Sequence, residues 1–316
     1  MSSYTETWLP APNSPYQFYT RTYTPKGAPR GAVVFIHGFI EHVARYTHAH
    51  EAWAARGFVV FTFDQRGFGR TALDGPNGKA QPGSIYGRTG DKEQVGDVEW
   101  AIKHVRVTYE GVPIFLMGHS MGGGLSLSFA TRQTAPPSKE TISLLTGVIV
   151  SSPLIRLTSP PVSMVRWLGG RATTVMPNFN IPASVEPKHL SHDPVVCEEN
   201  TRDPLIKRSA SLRAVDDMLN RGEALLVQNY KDWPKNLPVF IVQGSDDRVC
   251  SPKASQEFFD KVPATDKKIT FFPGGYHELQ NEPDGVKEKF FDTVISWAEE
   301  HLPFTTGVDG TASSKL

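Results

Sequence analysis

Cysteine is scarce: Cys197 and Cys250 are the only two in a chain of 316 residues. No disulfide framework is implied, and the chain is compatible with a reducing compartment. Each cysteine reads as a free, partly buried thiol. Long apolar runs are missing as well. No stretch of about 18 uninterrupted apolar residues occurs, which excludes a conventional transmembrane helix and leaves peripheral contact as the route to a membrane. The opening segment MSSYTETWLPAPNSPYQFYTRTY has no basic stretch followed by an apolar run, so no cleaved secretory signal is expected and the expected compartment is cytoplasmic. Excess charge is the third absence. With 33 basic residues against 33 acidic ones, the formal net charge is zero, so no partnership with nucleic acid is expected.

What is present is a series of short apolar runs rich in β-branched and aromatic residues. AVVFI before His37, FVVFTF before Asp64, PIFLM before Gly118, GVIV before Ser151, PVFIV before Gln243 and KITFF before Pro273 each read as a buried strand. Helix-length segments lie between them: His42 to Arg56, Lys92 to Tyr109, Met121 to Gln133, Pro252 to Val262 and Gly285 to Leu302. This alternation predicts an α/β fold with a mostly parallel central sheet flanked by helices on both faces. The pattern breaks between Pro153 and Leu237, where prolines punctuate short segments and no strand signal appears. Residues 1–152 and 238–304 are therefore expected to form the core, 153–237 an inserted helical cap or lid, and 305–316 a disordered polar tail. The front of the insertion carries Met164, Val165, Trp167, Leu168, Val175, Met176 and Phe179 with few charges. These residues suit either packing against the core or an acyl-chain funnel and membrane-facing lid.

Directly after the run PIFLM comes GHSMGGG, in which Gly118, Ser120 and Gly122 complete a G-x-S-x-G pattern ahead of a helical segment. Strand, tight turn and helix are the context in which this pattern marks the nucleophile of an α/β-hydrolase. The turn forces the serine into a strained backbone conformation, and side chains at the flanking glycines would meet the neighbouring strand and helix. Such a turn lifts the Ser120 hydroxyl over a helix N-terminus, which favours developing negative charge.

A serine hydroxyl needs a histidine to accept its proton and a carboxylate to orient that histidine, in the chain order Ser, acid, His. His277, in FFPGGYHELQ after the last strand signal, is the expected base, brought in by Gly274 and Gly275. His301 reads as a helix-end residue. His189 and His192 read as surface-loop residues whose H-x-x-H spacing is a weak metal signal. For the acid, PVFIV runs into QGSDDRVCSP and offers two neighbours, Asp246 and Asp247, at the carboxyl end of a strand. Asp64 in DQRGFGRT reads as a structural turn residue. In HGFIEHVARY after AVVFI, the backbone N–H of Phe39 is the expected first oxyanion donor and that of Met121 the second, with His37 orienting the loop.

Taken in order and spacing, HGFIEHVARY, DQRGFGRT, GHSMGG, QGSDDRVCSP and GYHELQNE resemble the monoacylglycerol lipase family, especially its fungal members, over Gly31 to Leu302. The resemblance selects Asp247 over Asp246 as the acid. It also implies that Glu41, Arg45 and His119 shape the substrate pocket for a glycerol leaving group, while Glu41 and Arg45 equally suit a structural ion pair. Two departures stand out. Animal members carry a tyrosine three residues before Asp-Pro-Leu in the cap, whereas here Asn200 precedes Asp203, Pro204 and Leu205. Phe39 replaces a smaller oxyanion-loop residue of other members. Cys250 stands beside the acid, with no catalytic step expected of it.

The implied reaction is hydrolysis of a monoacylglycerol, or a similar lipid ester, to glycerol and a fatty acid through an acyl-enzyme on Ser120, with no cofactor and no metal. A broader carboxylesterase or lysophospholipase would use the same residues, as would an acyltransferase in which an alcohol replaces water. A non-catalytic scaffold of this fold would be expected to lack a triad member. Peripheral contact with a membrane or lipid droplet through the cap is a further expectation.

Overall fold

Each of the six apolar runs becomes a strand of one sheet, and the computed structural model describes residues 3–160, 171–183 and 185–303. The chain opens with β1 (Thr5–Pro10) and β2 (Gln17–Tyr23), followed by β3 (Gly31–Ile36), β4 (Phe58–Phe63), β5 (Ile114–His119) and β6 (Leu145–Ser151). After β7 (Asn180–Pro182) and β8 (Ser209–Ser211), which pair with each other, come β9 (Val239–Gly244) and β10 (Lys267–Phe272). Among the described residues, the main sheet has eight strands in the order β1-β2-β4-β3-β5-β6-β9-β10. From β4 to β10 every neighbouring pair is parallel, and β2 alone runs against its neighbours.

The apolar-run criterion finds β3 to β6 and β9 because both faces of those strands are covered, and it finds the partly buried edge strand β10 through its run ITFF. Val34 and Ile36 face the cluster that holds Val98, Ile102 and Phe129. Val33 and Phe35, alternating with them, face Trp53, Phe290 and Trp297 on the other side. The same criterion misses the edge strand β1 and its neighbour β2, whose sequences TETWLP and QFYTRTY interleave polar residues. It also misses the β7–β8 ribbon, which departs from the expectation that 153–237 lacks strands; three-residue strands are too short to show a period.

Between β6 and β9 the segment is not uniform. Its second half returns to the core: the helix Leu212–Val227 lies against the helix Met121–Thr131, and Leu225, Leu226 and Trp233 join the main cluster. A Cβ on Gly222 would come within 2.2 Å of the Ile155 carbonyl oxygen, so that approach requires glycine. In the first half, Val175, Met176 and Phe179 are exposed rather than packed down. Met164, Val165, Trp167 and Leu168 lie outside the described residues, as does the tail 305–316. The parallel strands β3, β5, β9 and β10 all end on one edge, where their loops carry Phe39, Ser120, Asp247 and His277.

Candidate active site

Ser120 occupies the turn between β5 and the helix Met121–Thr131 with φ 53° and ψ −117°, a strained conformation for a residue with a Cβ. The chain is pinned there on both sides. Ser120 N–H donates to the Ser151 carbonyl at 2.9 Å, and the Ser120 carbonyl accepts from Gly124 and Leu154 N–H groups at 3.0 and 2.8 Å. The flanking glycines are sterically required. A Cβ on Gly118 would fall 2.2 Å from the Gly122 carbonyl oxygen, and one on Gly122 would fall 2.2 Å from that of Ile36.

His277 and Asp247 meet where the loops after β9 and β10 run side by side. Asp246 N–H donates to the Gly275 carbonyl at 3.1 Å, and a Cβ on Gly244 would lie 2.1 Å from that same oxygen. His277 Nδ1 lies 2.9 Å from Asp247 Oδ2, with both side chains buried. Asp247 Oδ1 accepts the N–H groups of Val249 and Cys250 at 2.8 and 2.9 Å, and Gln243 Nε2 donates to Oδ2 at 3.0 Å. Burial pushes the Asp247 carboxyl up, but the imidazole and these N–H donors outweigh it and hold it below the usual carboxylate value. Burial likewise pushes His277 down, and the Asp247 carboxylate outweighs it, leaving the imidazole above the ordinary histidine value. Asp246 is exposed and bonds to Ser245 Oγ, so among the two neighbours the structure brings Asp247 to the histidine.

Ser120 and His277 line one small cavity of about 30 Å³, room for one or two waters, together with Phe39, Glu41, Arg45 and His119. The Ser120 hydroxyl points to Cys250 Sγ at 3.9 Å, its one hydrogen-bond contact among the described residues. Without substrate, such catalytic contacts are commonly loose and tighten in the complex. Burial and the Asp247 charge push the Cys250 thiol well above its ordinary pKa, so it is a poor nucleophile in this setting. The N–H groups of Phe39 and Met121 donate to no acceptor among the described residues, which leaves two uncommitted donors on residues next to the cavity that holds Ser120.

The loop after β3 is tied down from several directions. His37 Nε2 accepts from Gln65 N–H at 2.8 Å, so its proton is on Nδ1, which donates to the Gly38 carbonyl at 2.8 Å; burial lowers its pKa to about 4. This is a turn histidine satisfied by backbone. Asp64 accepts the N–H groups of Val43 and Arg70 at 2.8 and 2.7 Å and organises the neighbouring turn. His42 Nε2 reaches Asp203 Oδ2 at 2.7 Å, and Tyr86 OH donates to the Ile40 carbonyl while accepting from Lys207 N–H, each at 3.0 Å. The loop is thereby fastened to the segment between β6 and β9, which adds Val185, Leu190, Asn200, Ile206 and Arg208 to the cavity wall.

The remaining histidines lie elsewhere. His301 caps its helix against Trp297 and Asp266, and His192 pairs with Glu282. Among the described residues, no group of three or more His, Cys, Asp or Glu is arranged to hold a metal ion. Two features escape the sequence. Arg208 lines the cavity from a segment without a motif, and Glu278 forms a two-pronged bond with Arg45, a residue 233 positions earlier. For Glu278 the only signal is a charge directly after the histidine.

Comparison with known proteins places the chain in a family. A family model described as serine aminopeptidase, S33, matches residues 27–284. A Schizosaccharomyces pombe protein assigned as a monoglyceride lipase is 36% identical over 287 residues, covering 90% of this chain and 71% of that one. The monoglyceride lipase of Saccharomyces cerevisiae is 30% identical over 285 residues, covering 86% and 85%. The crystal structure of a soluble variant of that yeast enzyme, in complex with a substrate analogue, superposes with a TM-score of 0.82 at 25% identity, over 96% of this chain and 97% of that one. The chain belongs to the serine aminopeptidase S33 family of α/β-hydrolases, among relatives that are monoglyceride lipases.

Proposed function

We propose that this chain hydrolyses monoacylglycerols to glycerol and free fatty acid, with Ser120 as nucleophile, His277 as base and Asp247 as its orienting acid. The observation that carries the reading is the single cavity shared by Ser120 and a His277 already bonded to Asp247, in a chain akin to monoglyceride lipases. His277 Nε2 takes the Ser120 proton as Oγ attacks the ester carbonyl. The N–H groups of Phe39 and Met121 receive the oxyanion. As the tetrahedral adduct collapses, His277 returns that proton to the glycerol oxygen, leaving an acyl group on Ser120. Water then attacks the acyl carbonyl, loses its proton to His277 and displaces Ser120, which regains its proton as the fatty acid departs. Asp247 stabilises the imidazolium formed in each half. The glycerol moiety lies in the cavity bounded by Glu41, Arg45 and His119, and the segment between β6 and β9 serves as its cap.

Access to so small a cavity requires the cap to shift. Among the described residues, no helix is long and apolar enough to cross a membrane, while Val175, Met176 and Phe179 present apolar side chains to the exterior. This supports a peripheral approach of the cap to a membrane or lipid droplet from the cytoplasm. The proposal is tested by comparing kcat/KM on a long-chain monoacylglycerol, the matching lysophospholipid and a short alkyl ester. A preference of tenfold or more for the monoacylglycerol is expected. Equal or better turnover of the other two would instead identify a general esterase or lysophospholipase.

A further inference from the structure

We propose that Glu278 is a positioning residue: through Arg45 and Glu41 it fixes the oxyanion loop against the loop that carries His277. The inference rests on Ser120 and His277 acting as proposed above, but not on which lipid ester is the substrate. Glu278 takes both Arg45 prongs, Nη1 on Oε1 at 2.8 Å and Nη2 on Oε2 at 2.9 Å, and Asn281 Nδ2 donates to Oε2 at 2.7 Å. Arg45 Nη1 also donates to Glu41 Oε2 at 2.5 Å. The other oxygen of Glu41, Oε1, accepts Gly38 N–H at 2.6 Å and the Tyr46 hydroxyl. Residue 38 precedes Phe39, which lines the cavity with Ser120, so an unbroken set of bonds links the residue after the proposed base to the residue before the proposed oxyanion donor.

Three features make this linkage rigid rather than incidental. All its carboxylate oxygens already accept at least one strong, charge-assisted or backbone bond. Glu41 and Glu278 are buried, where removing one member of the set leaves an uncompensated buried charge. Gly38 has no room for a side chain, because a Cβ there would lie 2.2 Å from Glu41 Oε1 and 3.2 Å from Ser120 Cβ. The carboxylate thus sits where the loop passes close to Ser120. A role for Glu41 and Arg45 confined to gripping glycerol leaves these commitments unexplained, since Arg45 Nη1 and Nη2 and both Glu41 carboxylate oxygens already bond within the protein. A positioning role uses every one of them. A misplacement of about 1 Å at a reacting centre can cost about 10²-fold in rate.

The test compares wild type with Glu278→Gln, which keeps the shape and removes the charge, using a long-chain monoacylglycerol and p-nitrophenyl butyrate, an ester without glycerol hydroxyls. A positioning role predicts that kcat falls about 10- to 100-fold on both esters, with KM changed less than about threefold. Arg45→Lys, which keeps the charge but loses the fork, should lower kcat similarly. Combining it with Glu278→Gln should add little, because both break one linkage. Thermal unfolding checks that each variant is folded; if Glu278→Gln does not fold, Arg45→Lys supplies the same comparison. A rise in KM on the monoacylglycerol alone, with p-nitrophenyl butyrate turnover untouched, would overturn the proposal in favour of head-group contact. Unchanged kinetics on both esters would overturn it too. Failure of wild type to prefer monoacylglycerol would refute the lipid specificity and leave this comparison intact.

Discussion

Burial alone would lower the pKa of His277, and the Asp247 carboxylate 2.9 Å from Nδ1 reverses that. The sign matters for both activity and stability. A base must be neutral to accept the Ser120 proton, so the acid limb of kcat/KM should have its midpoint above 6.5, the ordinary histidine value. Asp247→Asn removes the charge that lifts the imidazole; its residual acid limb should move to lower pH, with kcat reduced by about three to four orders of magnitude. A pH–rate profile of both proteins checks this, and a limb that stays in place in the variant would separate the carboxylate from the base. Stability runs the other way. A raised histidine pKa contributes stability fully present below about 6.5 and lost as pH rises through the folded value. The lowered Asp247 contributes stability above the ordinary carboxylate value that is lost as pH falls through its folded one. At the same scale, the sequence placed Ser120, His277 and the pair Asp246/Asp247 on suitable loops. It could not foresee that the resting hydroxyl faces Cys250, because that contact joins residues 130 positions apart.

Among the elements, legibility follows unbroken apolar sequence. Strands covered on both faces, such as FVVFTF in β4, announce themselves by continuous apolar runs. The long helix Asp91–Thr108 does so by buried Val95, Val98, Ile102 and Val105 at helical spacing. The strands β1 and β2 are silent because polar residues are mixed into them: β1 is exposed at the sheet edge, while β2, largely buried between β1 and β4, holds Thr20 and Arg21 in hydrogen bonds. The segment between β6 and β9 is the hardest to read. Its prolines signal breaks, yet nothing in them distinguishes the half that packs on the helix Met121–Thr131 from the half that leaves Val175, Met176 and Phe179 exposed. That exposed group yields an element-scale prediction. Changing all three to serine should reduce flotation with phosphatidylcholine vesicles by about tenfold or more, given about 1.5–3 kcal/mol per large apolar side chain removed from water. Turnover of p-nitrophenyl butyrate in solution should be unchanged. Equal vesicle binding by the two proteins would remove this face from membrane contact.

For the whole molecule, the balance of 33 basic and 33 acidic residues leaves no net field to capture a charged partner, which is consistent with a neutral lipid ester as substrate. The fold's main contribution is convergence. Four parallel strands end on one edge, so residues from positions 39 to 277 meet in a cavity of about 30 Å³. The layer order was legible from alternating strand and helix signals. The closeness of the segment between β6 and β9 was not, because His42–Asp203 and the Tyr86 bridge depend on tertiary contacts between distant segments. The central claim is that Ser120 carries the acyl group during turnover. The most direct measurement is rapid acid quenching of the enzyme turning over 1-monooleoylglycerol, followed by intact mass and peptide mapping, with Ser120→Ala alongside. The account predicts an added oleoyl mass on the peptide containing Ser120, and a folded Ser120→Ala protein with no adduct and turnover reduced by about 10⁴-fold or more. An adduct on another residue, or turnover retained by Ser120→Ala, would contradict it.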